Sequence, residues 1–205
     1  MTHKLHCLLL LLAPFFIAGC AGDSLVHAEA PAPTAREDFE IGVWLNHGQM
    51  ESEQQIADFF ELAESKGITA VYPNFWFHGY VIYPGSDFVR QHPKFAGQDP
   101  LKTVLREANA RGMEVHPWGE YGFFTHYNWT DEQEDVGYIL EQNPEWITMN
   151  KEGRVSLYNE KMGFSHYSLN PAHPEAREFL ANVMLEVMHK YPELDGLHLD
   201  RIRYM

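Results

Sequence analysis

Two carboxylates stand in sequence contexts suited to chemistry. In the run DGLHLDRIRY, Asp200 ends an apolar strand-like stretch and is followed by Arg201 and Arg203. Side chains alternate along a strand, so Leu197 and Leu199 share one face while His198 and Asp200 share the other. A carboxylate held ionised by neighbouring guanidinium groups can act as a nucleophile or steady a cationic transition state. The same spacing also suits an ion pair closing the rim of a sheet. Glu120, in HPWGEYGF, lies among Trp118, Tyr121 and Phe123. Apolar surroundings raise a carboxyl group's hold on its proton and fit it for acid work, or for hydrogen-bonding a sugar hydroxyl.

Around these two, flat aromatic faces recur at or just after the ends of apolar runs: Trp44, Trp76, Tyr80, Trp118 and Tyr121, with Asn74 among them. Sugar rings stack on such faces and give their hydroxyls to nearby polar groups, although core packing accounts for any one of them more cheaply. Asn74, His198, Arg201 and Arg203 complete a set of candidate substrate-binding residues. His47, His78, His116 and His198 also fall near strand ends, so a metal-dependent hydrolase is the rival chemistry. No H-x-H follows the first strand and no H-E-x-x-H occurs anywhere. The histidines therefore read as hydrogen-bonding groups, with no metal and no other cofactor expected.

The elements that must position these residues alternate in type. EIGVWLN, ITAVYPNFW, MEVHPWGEYGF and LHLDRIRY read as strands. ESEQQIADFFELAESKG, DPLKTVLREANARG and PEAREFLANVMLEVMHKYPELDG read as helices, with Asp99 as a cap and Gly67 and Gly112 as stops. An aromatic-rich insertion runs from about Phe124 to Asn170. Alternating near-continuous apolar strands and helices predict an α/β fold with a parallel sheet covered by helices. GVWLNHGQME lacks G-x-G-x-x-G, against a nucleotide-binding sheet. Polar and aromatic residues gathered where strands end favour a (β/α)8 TIM barrel, truncated after about four β/α units.

The N-terminus is of another kind. Residues 1–19 carry Lys4, an apolar run and small residues, the layout of a secretory signal too short to span a bilayer. Ile17–Cys20 resembles a lipobox, which predicts lipidation at Cys20, an ordinary signal with an incidental cysteine being the plainer reading; a flexible tether over 20–38 and a folded domain over 39–205 follow. Ala21 after that cysteine favours the outer membrane, on its periplasmic side. The only other cysteine, Cys7, lies in the signal, so no internal disulfide is expected. A net charge of −14 repels phosphate backbones and argues against a nucleic-acid partner.

GVWLN, YPNFWFHGYVIYPGSDF, PKFAGQDPLKTVLREANARGMEVHPWGEYGF and DGLHLDRIRY resemble, in order and spacing, the bacterial glycosyl-hydrolase-like family ten domain. That resemblance implies an amylase-like (β/α)8 barrel of envelope lipoproteins, acting on a polysaccharide such as the glycan strands of the cell wall. It implies Asp200 as the strand-four nucleophile, with an acid/base glutamate at the end of a fifth strand. The family pattern continues past the tyrosine with a proline, where this sequence has Met205, so the chain reads as the N-terminal half. Glu120 and a later residue both stay open as the acid, and retaining and inverting mechanisms are both open. A non-catalytic glycan-binding lipoprotein is the other reading. No obligate protein partner is evident.

Overall fold

A computed structural model describes residues 40–128, 135–155, 157–159 and 164–203. The signal, Cys20, the tether and Tyr204 lie outside the described residues.

Four apolar runs form a parallel sheet in chain order. Strand β1 (Gly42–Leu45) pairs with β2 (Ala70–Pro73), from Gly42 opposite Ala70 to Leu45 opposite Pro73. A hairpin then follows, β3 (Trp76–Phe77) antiparallel to β4 (Tyr80–Val81). The third parallel run is split into β5 (Glu114–Val115) and β6 (Trp118–Gly119). Pro117 lies between the halves, and a residue without an N–H cannot donate to the ladder. β5 pairs with β2, and Asn74 forms a parallel bridge to Trp118. Two later β-pairings of the insertion come next, and the fourth parallel run joins β6 through its own His198–Leu199 segment. Its ladder runs through His198 N–H to Pro117 O at 2.9 Å and Asp200 N–H to Gly119 O at 3.3 Å.

Helices α1 (Glu53–Ser65) and α2 (Pro100–Asn109) begin where their sequences supply caps. Ser52 accepts from the N–H of Gln55 and Asp99 from that of Lys102, each relieving a donor that the first turn leaves unpaired. Beyond α2, Gly112 adopts φ +65°, which a side chain would oppose. One sheet face contributes Leu45, Val71 and Val115 to a core shared with Ile56 and Phe60 of α1 and with Leu101 and Val104 of α2.

The insertion is more ordered than its sequence implied. It holds β7 (Phe124–Asn128), a short helix α3 (Tyr138–Gln142), β8 (Leu157–Asn159) and β9 (Phe164–Ser168). These strands form an antiparallel sheet in the order β7-β9-β8. β7 and β9 pair across a long stretch of chain, so no local turn signature announces them. Helix α4 (Pro174–Lys190) follows, opening with proline in its first turn, and leads into β10 (His198–Leu199). Its Glu186 is buried but fully engaged, accepting from Tyr83 Oη at 2.8 Å, Ser86 Oγ at 2.6 Å and the N–H of Asp87 at 2.7 Å. That carboxylate ties the loop after β4 to α4.

Candidate active site

The carboxyl ends of β2, β6 and β10 converge on Glu120. Its side chain is 13% exposed. Asn74 Nδ2 donates to Glu120 Oε2 at 2.5 Å. Arg201 spans from the next strand, with Nη1 at 2.9 Å from the Glu120 carbonyl oxygen and 3.3 Å from Oε1. Its guanidinium also stands over the Tyr121 ring, 5.3 Å from the centroid. Burial pushes the Glu120 carboxyl above the usual carboxylate range, and the nearby Asp200 charge adds to the rise; Arg201 opposes both. A carboxyl of this kind can carry a proton into a reaction.

Asp200 stands on the neighbouring strand end, and its Oδ1 accepts from the N–H of Arg201 at 2.6 Å. Arg201 itself has φ +49°, an uncommon conformation for a residue with a side chain. The turn after Glu120 fits closely beneath this peptide. Gly122, at φ +48°, has no room for a Cβ, which would overlap the carbonyl oxygens of Asp200 and Arg201. Trp76 fixes the same turn from the other side, donating from Nε1 to Gly122 O at 2.9 Å.

Trp76 is 0% exposed, so its ring cannot stack on a ligand; the expectation of a substrate-binding role there is corrected to one of support. Asn74 is likewise 0% exposed and reaches the site through Glu120. Trp44 and Trp118 do form an aromatic surface, with centroids 5.9 Å apart, and Trp44 is 57% exposed. His198 meets Trp44 edge-on at 6.1 Å. Tyr72, absent from the sequence-derived set, lies 6.3 Å from Trp44 and 5.2 Å from His198. Its signal was available: Tyr72 and Asn74 are two residues apart on one strand and therefore share a face. Tyr80 packs elsewhere, against His92 and Tyr138. Arg203 is exposed.

Tyr121 extends the site toward the β3–β4 hairpin. Its hydroxyl lies 3.2 Å from His78 Nε2, and the Tyr127 ring packs edge-on against His78 at 3.9 Å. Burial lowers the His78 pKa to about 3, and nearby His47 and His92 are lowered by burial as well. Neutral imidazoles at pH 7 act here as ring contacts and hydrogen-bonding groups. Among the described residues, no three His, Cys, Asp or Glu side chains are grouped to hold a metal ion.

Comparison with known proteins follows the same lines. Residues 40–205 match the family described as Glycosyl hydrolase-like 10. Glycosyl hydrolase DigH of Escherichia coli is 27% identical over 136 residues, covering 60% of this chain and 27% of that protein. The chain thus spans about a quarter of that relative's length. A hypothetical protein from Ruminiclostridium thermocellum superposes with a TM-score of 0.58 at 16% identity, over 80% of this chain and 77% of that one. An alpha-amylase from Lactobacillus plantarum gives 0.52 at 14% identity, over 78% of this chain and 38% of its own. At these identities the superpositions speak to the fold.

Proposed function

The chain belongs to the glycosyl hydrolase-like 10 family, and we propose that it is the first half of a (β/α)8 barrel glycosidase of the bacterial envelope, held there through Cys20. The substrate is a polysaccharide, with peptidoglycan glycan strands the leading candidate. One observation carries this reading: a largely buried carboxyl with a raised proton affinity, Glu120, stands at the strand end beside a second carboxylate, Asp200, and one arginine clamps both strand ends together.

In this reading Glu120 delivers a proton to the leaving glycosidic oxygen, and Asp200 attacks the anomeric carbon or stabilises its positive charge. Arg201 keeps the two strand ends in register. Trp44 and Trp118 offer the surface for a sugar ring, with His198 at its edge. The family's expected strand-five glutamate is the alternative acid, in which case Glu120 binds a sugar hydroxyl.

The test is release of reducing ends from purified glycan strands by the full-length barrel protein, as wild type and as Asp200→Asn and Glu120→Gln. Each substitution is expected to lower turnover by about 10²–10⁴-fold while glycan binding persists. Unchanged turnover in Asp200→Asn sinks the assignment. Binding by the wild type with no turnover points to a glycan-binding lipoprotein, and loss of turnover on chelation points to a metal-dependent hydrolase.

A further inference from the structure

Asn74 is held more firmly than a ligand-binding residue needs. Its N–H donates to Leu45 O at 2.8 Å and its backbone bridges to Trp118, so both neighbouring strands fix the residue. The side chain is fully buried. Its Oδ1 has no hydrogen-bond partner among the described residues. A buried amide with an unmatched acceptor carries an uncompensated desolvation cost that an apolar side chain of similar size would avoid. What the asparagine provides in exchange is one bond, Nδ2 to Glu120 Oε2 at 2.5 Å.

We infer that Asn74 is a positioning residue: by donating to Oε2 it fixes that oxygen of Glu120, opposite the Arg201 contact to Oε1, and sets how tightly that carboxyl holds its proton. The inference rests on Glu120 being the proton-bearing group of the proposed function. Other charged and titratable groups around Glu120 are accounted for. Arg201 approaches Oε1, Asp200 adds a like charge, and Tyr121 in the turn after β6 and Tyr127 on β7 are close enough for Glu120 to add to the rise that burial imposes on their hydroxyls. A donor to the carboxylate favours its ionised form, whereas burial favours the neutral one. Asn74 therefore works with Arg201 to limit the rise that burial imposes.

The experiment is carbon-13 NMR titration of glutamate carboxyl groups, with Glu120 assigned by its loss in Glu120→Gln. In the wild type, the Asn74 side-chain amide resonances are expected to move with the same midpoint as the Glu120 carboxyl. In Asn74→Leu that midpoint rises by about one pH unit or more, a tenfold change in proton affinity. In Asn74→Asp two coupled steps replace the single one. Asn74 resonances that stay flat through the Glu120 titration would overturn the inference, and so would a natively folded Asn74→Leu with an unmoved midpoint. The wild-type measurement decides the matter even where the variants fail to fold. No turnover is needed: expected shifts in a protein that cleaves no glycan would retain the positioning role and remove the glycosidase reading.

Discussion

Replacing Gly122 with alanine tests the packing on which the site depends. Two costs are expected there. Alanine at φ +48° pays for a left-handed backbone, about 1–2 kcal/mol. The new Cβ also falls inside the carbonyl oxygens of Asp200 and Arg201, which are backbone and cannot swing aside. Overpacking of that kind costs a further ~1–3 kcal/mol. Gly112 supplies the control, since at φ +65° it has nothing within 4 Å of a built Cβ and pays the conformational cost alone. Urea unfolding followed by tryptophan fluorescence and circular dichroism should therefore show a loss of about 1–2 kcal/mol for Gly112→Ala and about 2–5 kcal/mol for Gly122→Ala. The Arg201 amide, bonded to Asp200 Oδ1, should shift in the NMR spectrum of Gly122→Ala and stay in place in Gly112→Ala. If the two variants lose equal stability and the Arg201 amide is unmoved, the Glu120–Gly122 turn is not seated against the Asp200–Arg201 peptide, and the account of how the carboxylates are held together fails.

Other consequences can be measured on the same protein. Because the folded-state pKa of Glu120 is raised, its contribution to stability is fully present at low pH and is lost as pH rises through that value. The stability of Glu120→Gln relative to wild type should therefore improve as pH climbs from about 4 to 7, and a difference that does not change with pH contradicts the burial of this carboxyl. His78 has the opposite sign: its pKa is lowered to about 3, so stability is lost as pH falls from the ordinary histidine range toward that value. Its ring resonances should stay those of neutral imidazole at pH 5, and a midpoint near 6.5 would show the hairpin tip to be solvated. Glu186→Leu strips three donors of their acceptor and should cost about 3–5 kcal/mol in chemical unfolding. A loss below about 1 kcal/mol would mean that water replaces the carboxylate without penalty.

Much of this architecture could be read in one dimension because its signals are local. Helix α2 carries its cap at the predicted Asp99 and α1 ends just before the predicted Gly67, and the four parallel runs stand out as apolar stretches between them. The insertion was not legible as structure. β7 and β9 pair Phe124 with Ser168 and Asn128 with Ser165, and pairing over such a separation depends on partners that a local window does not contain.

The candidate site divides in the same way. Residue types at strand ends were enough to single out Glu120, Asp200 and Arg201, because alternation along a strand and clustering at its carboxyl end follow from backbone geometry. Exposure was not readable. Trp44 and Trp76 look alike in the sequence, yet one is 57% exposed and the other 0%. The difference arises where the chain leaves β2 after Pro73 and turns into the β3–β4 hairpin, which carries Trp76 under the Glu120–Gly122 turn. Residue order determined the strands, the helix caps and the chemical types at the rim. Only the tertiary structure decided which aromatics are exposed and which donors hold the oxygens of Glu120, because burial and hydrogen-bond partnership belong to neighbours brought together across the sheet.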